Sequence, residues 1–163
     1  VPEGTPTEIR AATEEDVGLV LSFIRELAEY EGLSHEVVAT EDVLRDSLFG
    51  ERTGAEVVIC HHEGTPAGFA LFFHNFSTFL GRPGLYLEDL YVKPEMRGRG
   101  LGRALLVHLA RVARERGCGR LEWSVLDWNE PAIKLYRGIG ATPMDEWTVY
   151  RVTGRALEDL AAG

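Results

Sequence analysis

The stretch EDLYVKPEMRGRGLGRALLVHLARV, Glu88 to Val112, governs how the rest of the chain is read. It opens inside a strand, LYLEDLYV (Leu85 to Val92), which Pro94 ends because proline brings no N–H to a ladder. It closes in a helix: Leu101, Leu105, Leu106, Leu109, Val112 and Ala113 form one apolar stripe, and Gly117 stops it. Between the two, the six residues Arg97 to Gly102 hold three glycines and two arginines. Glycine lets backbone N–H groups approach an anion closely, and a helix N-terminus adds unpaired donors and partial positive charge. With Arg97, Arg99 and Arg103 as full charges, a phosphate or pyrophosphate is the expected guest. An ordinary flexible loop would need only one glycine. Two familiar phosphate loops fail on spacing. The chain has no Gly-Lys-Ser/Thr triplet. The G-x-G-x-x-G fingerprint directly follows a strand, whereas here the five residues Lys93 to Arg97 intervene.

Outward from this stretch the periodicity switches several times. EIRAAT (Glu8 to Thr13) reads as a first strand. Val17, Val20, Leu21, Ile24, Leu27 and Ala28 recur at helical spacing, with Thr13 as cap, acids in the first turn and Gly32 after the end. Thr40 caps a second helix through Val43, Leu44 and Leu48 to Gly50. AEVVICHHE and PAGFALFFHNF are strands joined at a GT hairpin signal, and the loop STFLGRPG leads into LYLEDLYV. Beyond Gly117, RLEWSVL is a strand and NEPAIKLYRGIG a short helix capped by Asn129. EWTVYRVT (Glu146 to Thr153) is expected to be a last strand, and GRALEDLAA a brief helix. The order βααβββαβαβ implies an α/β mixed sheet with helices on both faces.

Composition narrows the function. A chain of 163 residues suits one domain, here 8–163 behind a loose tail at 1–7. No apolar run approaches the roughly 18 residues of a membrane helix, and the N-terminus lacks a signal-peptide pattern, so the expected setting is cytoplasmic with no membrane partner. Acidic residues outnumber basic ones, 26 to 17, for a formal charge of −9. That argues against a nucleic-acid partner and suits a small cationic substrate. Cys60 and Cys118 form no zinc pattern and read as structural or incidental. His61 and His62 are strand neighbours, face opposite ways and lack a third ligand at zinc spacing, so no metal is expected.

The pattern Arg-x-x-Gly-x-Gly, after a strand and a proline turn and opening a long helix, resembles the acetyl-CoA pyrophosphate loop of the GNAT N-acetyltransferases. The element order resembles theirs too. ELAEYE, LYLEDLYV, RGRGLG and WNEPAIKLYRGIGA together resemble the diamine (spermidine/spermine) branch, which includes thialysine acetyltransferases. The likeness runs from Ile9 to about Thr153. It implies a GNAT fold with a splayed central strand pair, acetyl-CoA as co-substrate, a small cationic amine (polyamine, diamine or thialysine-like) as acceptor, and a homodimer.

Acetyl transfer to an amine needs a deprotonated amine, a grip on the developing oxyanion, a proton for the leaving thiolate and a cofactor held in register. On the resemblance, Tyr136 corresponds to the general acid. An unperturbed tyrosine titrates near 10, above a thiol near 8.5, so it can protonate a thiolate; the plain alternative is a core tyrosine. Arg97, Gly98, Arg99, Gly100, Leu101, Gly102 and Arg103 correspond to the pyrophosphate loop. Asn129, Glu130, Pro131 and Ala132 correspond to a second cofactor contact, although Asn129 also suffices as a helix cap. Leu90, Tyr91 and Val92 correspond to the segment that pairs with the pantetheine amides, and an N–H near Leu90 is the candidate oxyanion donor. Glu88 corresponds to a substrate residue and possible base; a carboxylate near 4 is a poor direct base for an ammonium near 10, so relay through water or binding of the small free-amine fraction is expected. Asp89 neighbours it, and only one of the two faces a given pocket unless a bulge intervenes. Tyr30 and Glu31 would hold the far ammonium and its methylenes, and Glu122, Trp123 and Ser124 add further contacts, Trp123 being equally suited to the core.

Two departures from the branch bear on substrate identity. Phe79 stands where a tryptophan is common, and Asp127 where a glutamate is usual. No activated nucleophile constellation appears, so attack should be direct in a ternary complex. The rival readings are an amino-acid, antibiotic or protein N-acetyltransferase, and an acyl-CoA-binding sensor without turnover. A sensor would tolerate losing Tyr136 and Glu88, and the chain has both.

Overall fold

The computed structural model describes residues 6–163. Most of the expected tail, residues 1–5, lies outside the described residues, and Thr7 already belongs to a strand. The elements are β1 Thr7–Ala11, α1 Val17–Tyr30, α2 Glu41–Phe49, β2 Glu56–His62, β3 Thr65–Ser77, β4 Arg82–Val92, α3 Leu101–Glu115, β5 Leu121–Trp123, α4 Glu130–Gly138 and α5 Gly154–Ala161.

Local chemistry explains the boundaries. Ahead of α1, the Asp16 carboxylate accepts from the Thr13 N–H at 2.7 Å and takes a two-pronged bond from Arg10 at 2.8 and 2.9 Å. The Arg10 guanidinium holds that carboxyl well below the usual carboxylate range. Thr40 Oγ1 accepts from the Val43 N–H at 3.3 Å and caps α2. The β2–β3 hairpin turns on Glu63 and Gly64, at φ 50° and 80°, one residue upstream of the expected GT. Both residues sit in the left-handed region that a two-residue hairpin demands. The loop after β3 shrinks to residues 78–81, because Ser77↔Arg82 and Phe76↔Pro83 are paired.

The five strands lie in sequence order, antiparallel from β1 to β4, with β4 and β5 parallel. Strand alternation divides the side chains between two faces. On one, Val20 and Phe23 of α1 bury against Val57, Ile59, Phe69 and Tyr91, with the Phe23 and Phe69 rings stacked at 5.4 Å. On the other, Leu101, Leu105, Leu106 and Leu109 of α3 are buried, and α3 packs along β4. Arg116 at the end of α3 grips Glu56 at 2.6 and 2.9 Å and covers the Phe72 ring. Each fully buried side chain of this size contributes about 1.5–3 kcal/mol, so the two α-on-sheet layers supply the framework that positions β4.

Two expectations are corrected. RLEWSVL is a strand for only three residues, because its ladder with β4 stops at Leu87↔Trp123. EWTVYRVT carries no strand: residues 147–153 have no ladder among the described residues. Their β-branched and aromatic content favours a strand only where a partner supplies the hydrogen bonds. The chain divides at Leu126 and Asp127 into two compact units, the second holding α4 and α5.

Candidate active site

In the first unit the site grows from an irregularity in β4. Opposite β3, Leu71 pairs with Asp89 and the next residue, Phe72, pairs with Leu87. Glu88 is therefore an extra residue, a β-bulge. Counting outward from the core fixes its consequence. Phe69, Leu71 and Phe73 share the α1 face, so their partners Tyr91, Asp89 and Tyr86 do as well. Leu87, paired with Phe72, lies on the α3 face. The bulge thus moves Asp89 to the same face as Glu88, the condition under which both adjacent carboxylates can serve one pocket. Glu31, at the end of α1, lies close enough to act on Asp89.

The electrostatics follow. Burial pushes the Asp89 carboxyl up to about 6, with the Glu88 and Glu31 charges adding to the effect. Burial also raises Glu31. Three acids on one side of the sheet make a place where a cation is favoured and where one carboxyl changes charge near neutrality.

The bulge sits where β4 and β5 part. Their ladder covers Leu85↔Leu121, Tyr86↔Glu122 and Leu87↔Trp123 and goes no further. The central pair is splayed from Glu88 onward. Strand N–H and C=O groups alternate sides from one residue to the next. The Lys93 N–H donates to Ala67 of the β3 side at 2.8 Å. By alternation the Tyr91 groups face β3, while those of Leu90 and Val92 face the splay. The Val92 carbonyl accepts from Arg97 Nε at 3.0 Å, as this alternation requires. The Leu90 N–H faces the same opening, where an oxyanion or pantetheine amide would need a donor. The side chain of Tyr91 is buried in the core, so only its backbone borders the cleft.

After β4 the loop bends at Gly98 and Gly100, both at φ 77°, and Gly100 precedes the first residue of α3. A side chain at either position would be strained. The first N–H groups of α3, on Leu101, Gly102 and Arg103, have no partner within the helix and point out of its N-terminus. The Leu101 side chain is buried, so only its backbone N–H is open at the helix end. Arg99 and Arg103 are exposed. Arg97 has a second engagement: its guanidinium lies 4.8 Å over the Tyr30 ring and 5.9 Å from that of Tyr91. One face of Tyr30 is therefore shared with Arg97, leaving less of that ring for substrate methylenes.

On β5, Glu122 forms an ion pair with Arg120 at 2.7 Å and accepts from Asn75 Nδ2 at 3.3 Å, so its carboxylate is tied to the sheet edge. Trp123 pairs with Leu87 and falls on the α3 face, away from Glu88 and Asp89. Ser124, just past the ladder, bonds Tyr86 at 2.8 Å. Tyr86 was not among the sequence candidates, although its place two residues before Glu88 on an alternating strand is a signal that could have found it.

In the second unit, Asn129 Oδ1 accepts from the Ala132 N–H at 3.4 Å and caps α4, with Pro131 in its first turn. Glu130 and Pro131 are exposed, and Tyr136 lies seven residues after Asn129, about two turns along the same face. Asp127 and Phe79, the two departures, are both exposed. Among the described residues no group of three or more His, Cys, Asp or Glu is arranged to hold a metal, and no helix is long and apolar enough to cross a membrane.

Residues 22–141 match the acetyltransferase (GNAT) family. The thialysine N-epsilon-acetyltransferase of Bos taurus is 41% identical over 94% of this chain and 96% of its own length. An L-ornithine N5-acetyltransferase of Arabidopsis thaliana is 32% identical over 98% of this chain and 92% of its own. A solved integron cassette protein from the mobile metagenome of V. cholerae superposes with a TM-score of 0.81, at 32% identity over 98% of this chain and all of that one.

Proposed function

The chain belongs to the acetyltransferase (GNAT) family, and from that premise we propose that it moves an acetyl group from acetyl-CoA to a primary amine of a small dicationic substrate, thialysine-like or a diamine. The observation that carries the amine half is the acidic face made by the bulge: Glu88 and Asp89 side by side on β4, with Glu31 nearby. The observations that carry the cofactor half are the Gly98–Gly100 bend that opens α3 and the end of the β4–β5 ladder before Leu90. The donor set fits an acyl-CoA: loop N–H groups and arginines for the pyrophosphate, an open strand edge for the pantetheine amides.

In this reading residues 8–163 act as one catalytic domain. Glu88 and Asp89 draw the ammonium in and accept its proton through water, while Glu31 holds the far positive charge. The Leu90 N–H steadies the carbonyl oxygen as it gains charge, and Tyr136 gives its phenolic proton to the departing sulfur. The acetyl-CoA thioester supplies the activated acyl group. Relatives named for thialysine and for ornithine both act on amino acids with a second amine, which favours a dication over a neutral monoamine. Velocities measured with acetyl-CoA and thialysine varied against each other should give intersecting lines, the pattern of direct attack in a ternary complex. Parallel lines would overturn direct attack. Glu31→Gln should raise KM about tenfold for a diamine and leave a monoamine near its wild-type value. Equal shifts for both would place the far ammonium elsewhere.

A homodimer belongs to the same proposal. Trp147, Val149 and Tyr150 are 73%, 82% and 92% exposed, an apolar run that a second copy would cover. Sedimentation should give twice the chain mass, and a single-chain mass at micromolar concentration would contradict it.

A further inference from the structure

Tyr86 stands at the base of the splay, and neither the family likeness as read above nor the proposed chemistry gives it a task. Its ring pairs with Phe73 across the β3–β4 ladder, centroids 5.2 Å apart, on the α1 face that also carries Glu88 and Asp89. Its hydroxyl reaches across to Ser124 Oγ at 2.8 Å. Ser124 follows Trp123, the last residue of the ladder, and so stands level with Glu88 on the opposite side of the opening. A bond between two exposed hydroxyls adds little to folding, and the β4–β5 ladder already joins the strands up to this point. What the bond does is fix where the phenolic oxygen sits.

Two hydroxyls that share one hydrogen bond keep unused lone pairs and one further proton. An ammonium beside Glu88 and Asp89 offers three N–H donors, and carboxylates at one side of the opening do not surround it. We propose that Tyr86, held in place by Ser124, is a substrate-positioning residue: its hydroxyl accepts a hydrogen bond from the reacting amine and turns the nitrogen toward the splay. This inference rests on the amine-transfer reading and deepens it.

The test is steady-state kinetics on the 163-residue chain with thialysine and acetyl-CoA, beside thermal midpoints. Measurable wild-type turnover establishes the underlying reading first; without it the reaction itself fails, separately from the role of Tyr86. Given turnover, Tyr86→Phe should raise the amine KM roughly tenfold, with acetyl-CoA KM and the melting midpoint unchanged. Ser124→Ala should act in the same direction, the double variant should be no worse than Tyr86→Phe alone, and Ser124→Thr should restore the amine KM. An unchanged amine KM in Tyr86→Phe would overturn the proposal. Parallel rises in the KM values of both substrates would also overturn it, since they would mark a hydroxyl bridge that only props the cleft open.

Discussion

Tyr136→Phe is expected to lower kcat by roughly a hundredfold or more while acetyl-CoA binds within about twofold of wild type. The expectation follows from what phenylalanine keeps and loses. The ring, its volume and its place on α4 remain, so the Asn129 cap and the helix are undisturbed. Only the phenolic O–H goes. A thiolate leaving without a proton donor must take one from water, in a step where the positioned donor acts only as the sulfur departs. An interaction made only in the transition state shows itself in kcat rather than in KM. Single-turnover rates of thiol release, together with equilibrium binding of acetyl-CoA, separate the two effects. An unchanged kcat would remove Tyr136 from the reaction, and a parallel loss of acetyl-CoA affinity would make it a binding residue.

Asp89→Asn carries the second large effect, and it has opposite signs in stability and in activity. The Asp89 carboxyl is raised from 3.8 to about 6 by burial and by the Glu88 and Glu31 charges. A carboxyl raised on folding binds its proton more tightly in the folded than in the unfolded protein. Its contribution is therefore most favourable below pH 4 and is lost as pH rises through about 6. Above that pH the ionised side chain costs on the order of 3 kcal/mol, which the neutral asparagine avoids. Denaturant melts should find Asp89→Asn more stable than wild type at pH 8, with the difference closing as pH falls toward 4. Dicationic substrate should show the reverse: the KM rises about tenfold in the variant at pH 8, because a cation that offsets the cluster has lost one of its charges. In the wild type the same amine should bind more tightly as pH rises through about 6. A variant less stable than wild type at pH 8 would mean that Asp89 is paired and not strained.

Much of this site was legible in the chain itself. LYLEDLYV announced a strand, and RGRGLG announced a glycine bend at the head of a helix, because glycine and helix periodicity are local signals. The bulge was not legible. It exists only in the register against β3, so the orientation of Asp89 waits on Leu71 and Phe72. Arg97 shows the same limit. Its charge is visible in sequence, but its bond to Val92 and its place over Tyr30 depend on how β4 and α1 end beside one another. EWTVYRVT has strand composition and no ladder, because strand formation is a property of pairs. Ser124 was legible as a candidate and strand alternation could have pointed to Tyr86, but the bond between their hydroxyls depends on the β4–β5 register.

Release of CoA thiol from acetyl-CoA, followed across a panel of amines, tests the central claim most directly. The panel holds thialysine, ornithine, lysine, spermidine, putrescine and a neutral monoamine at equal concentration and pH. The acidic face at Glu31, Glu88 and Asp89 predicts rapid release with at least one dicationic amine and little with the monoamine. Release that is absent for every amine, while acetyl-CoA still binds, would contradict small-amine acetylation.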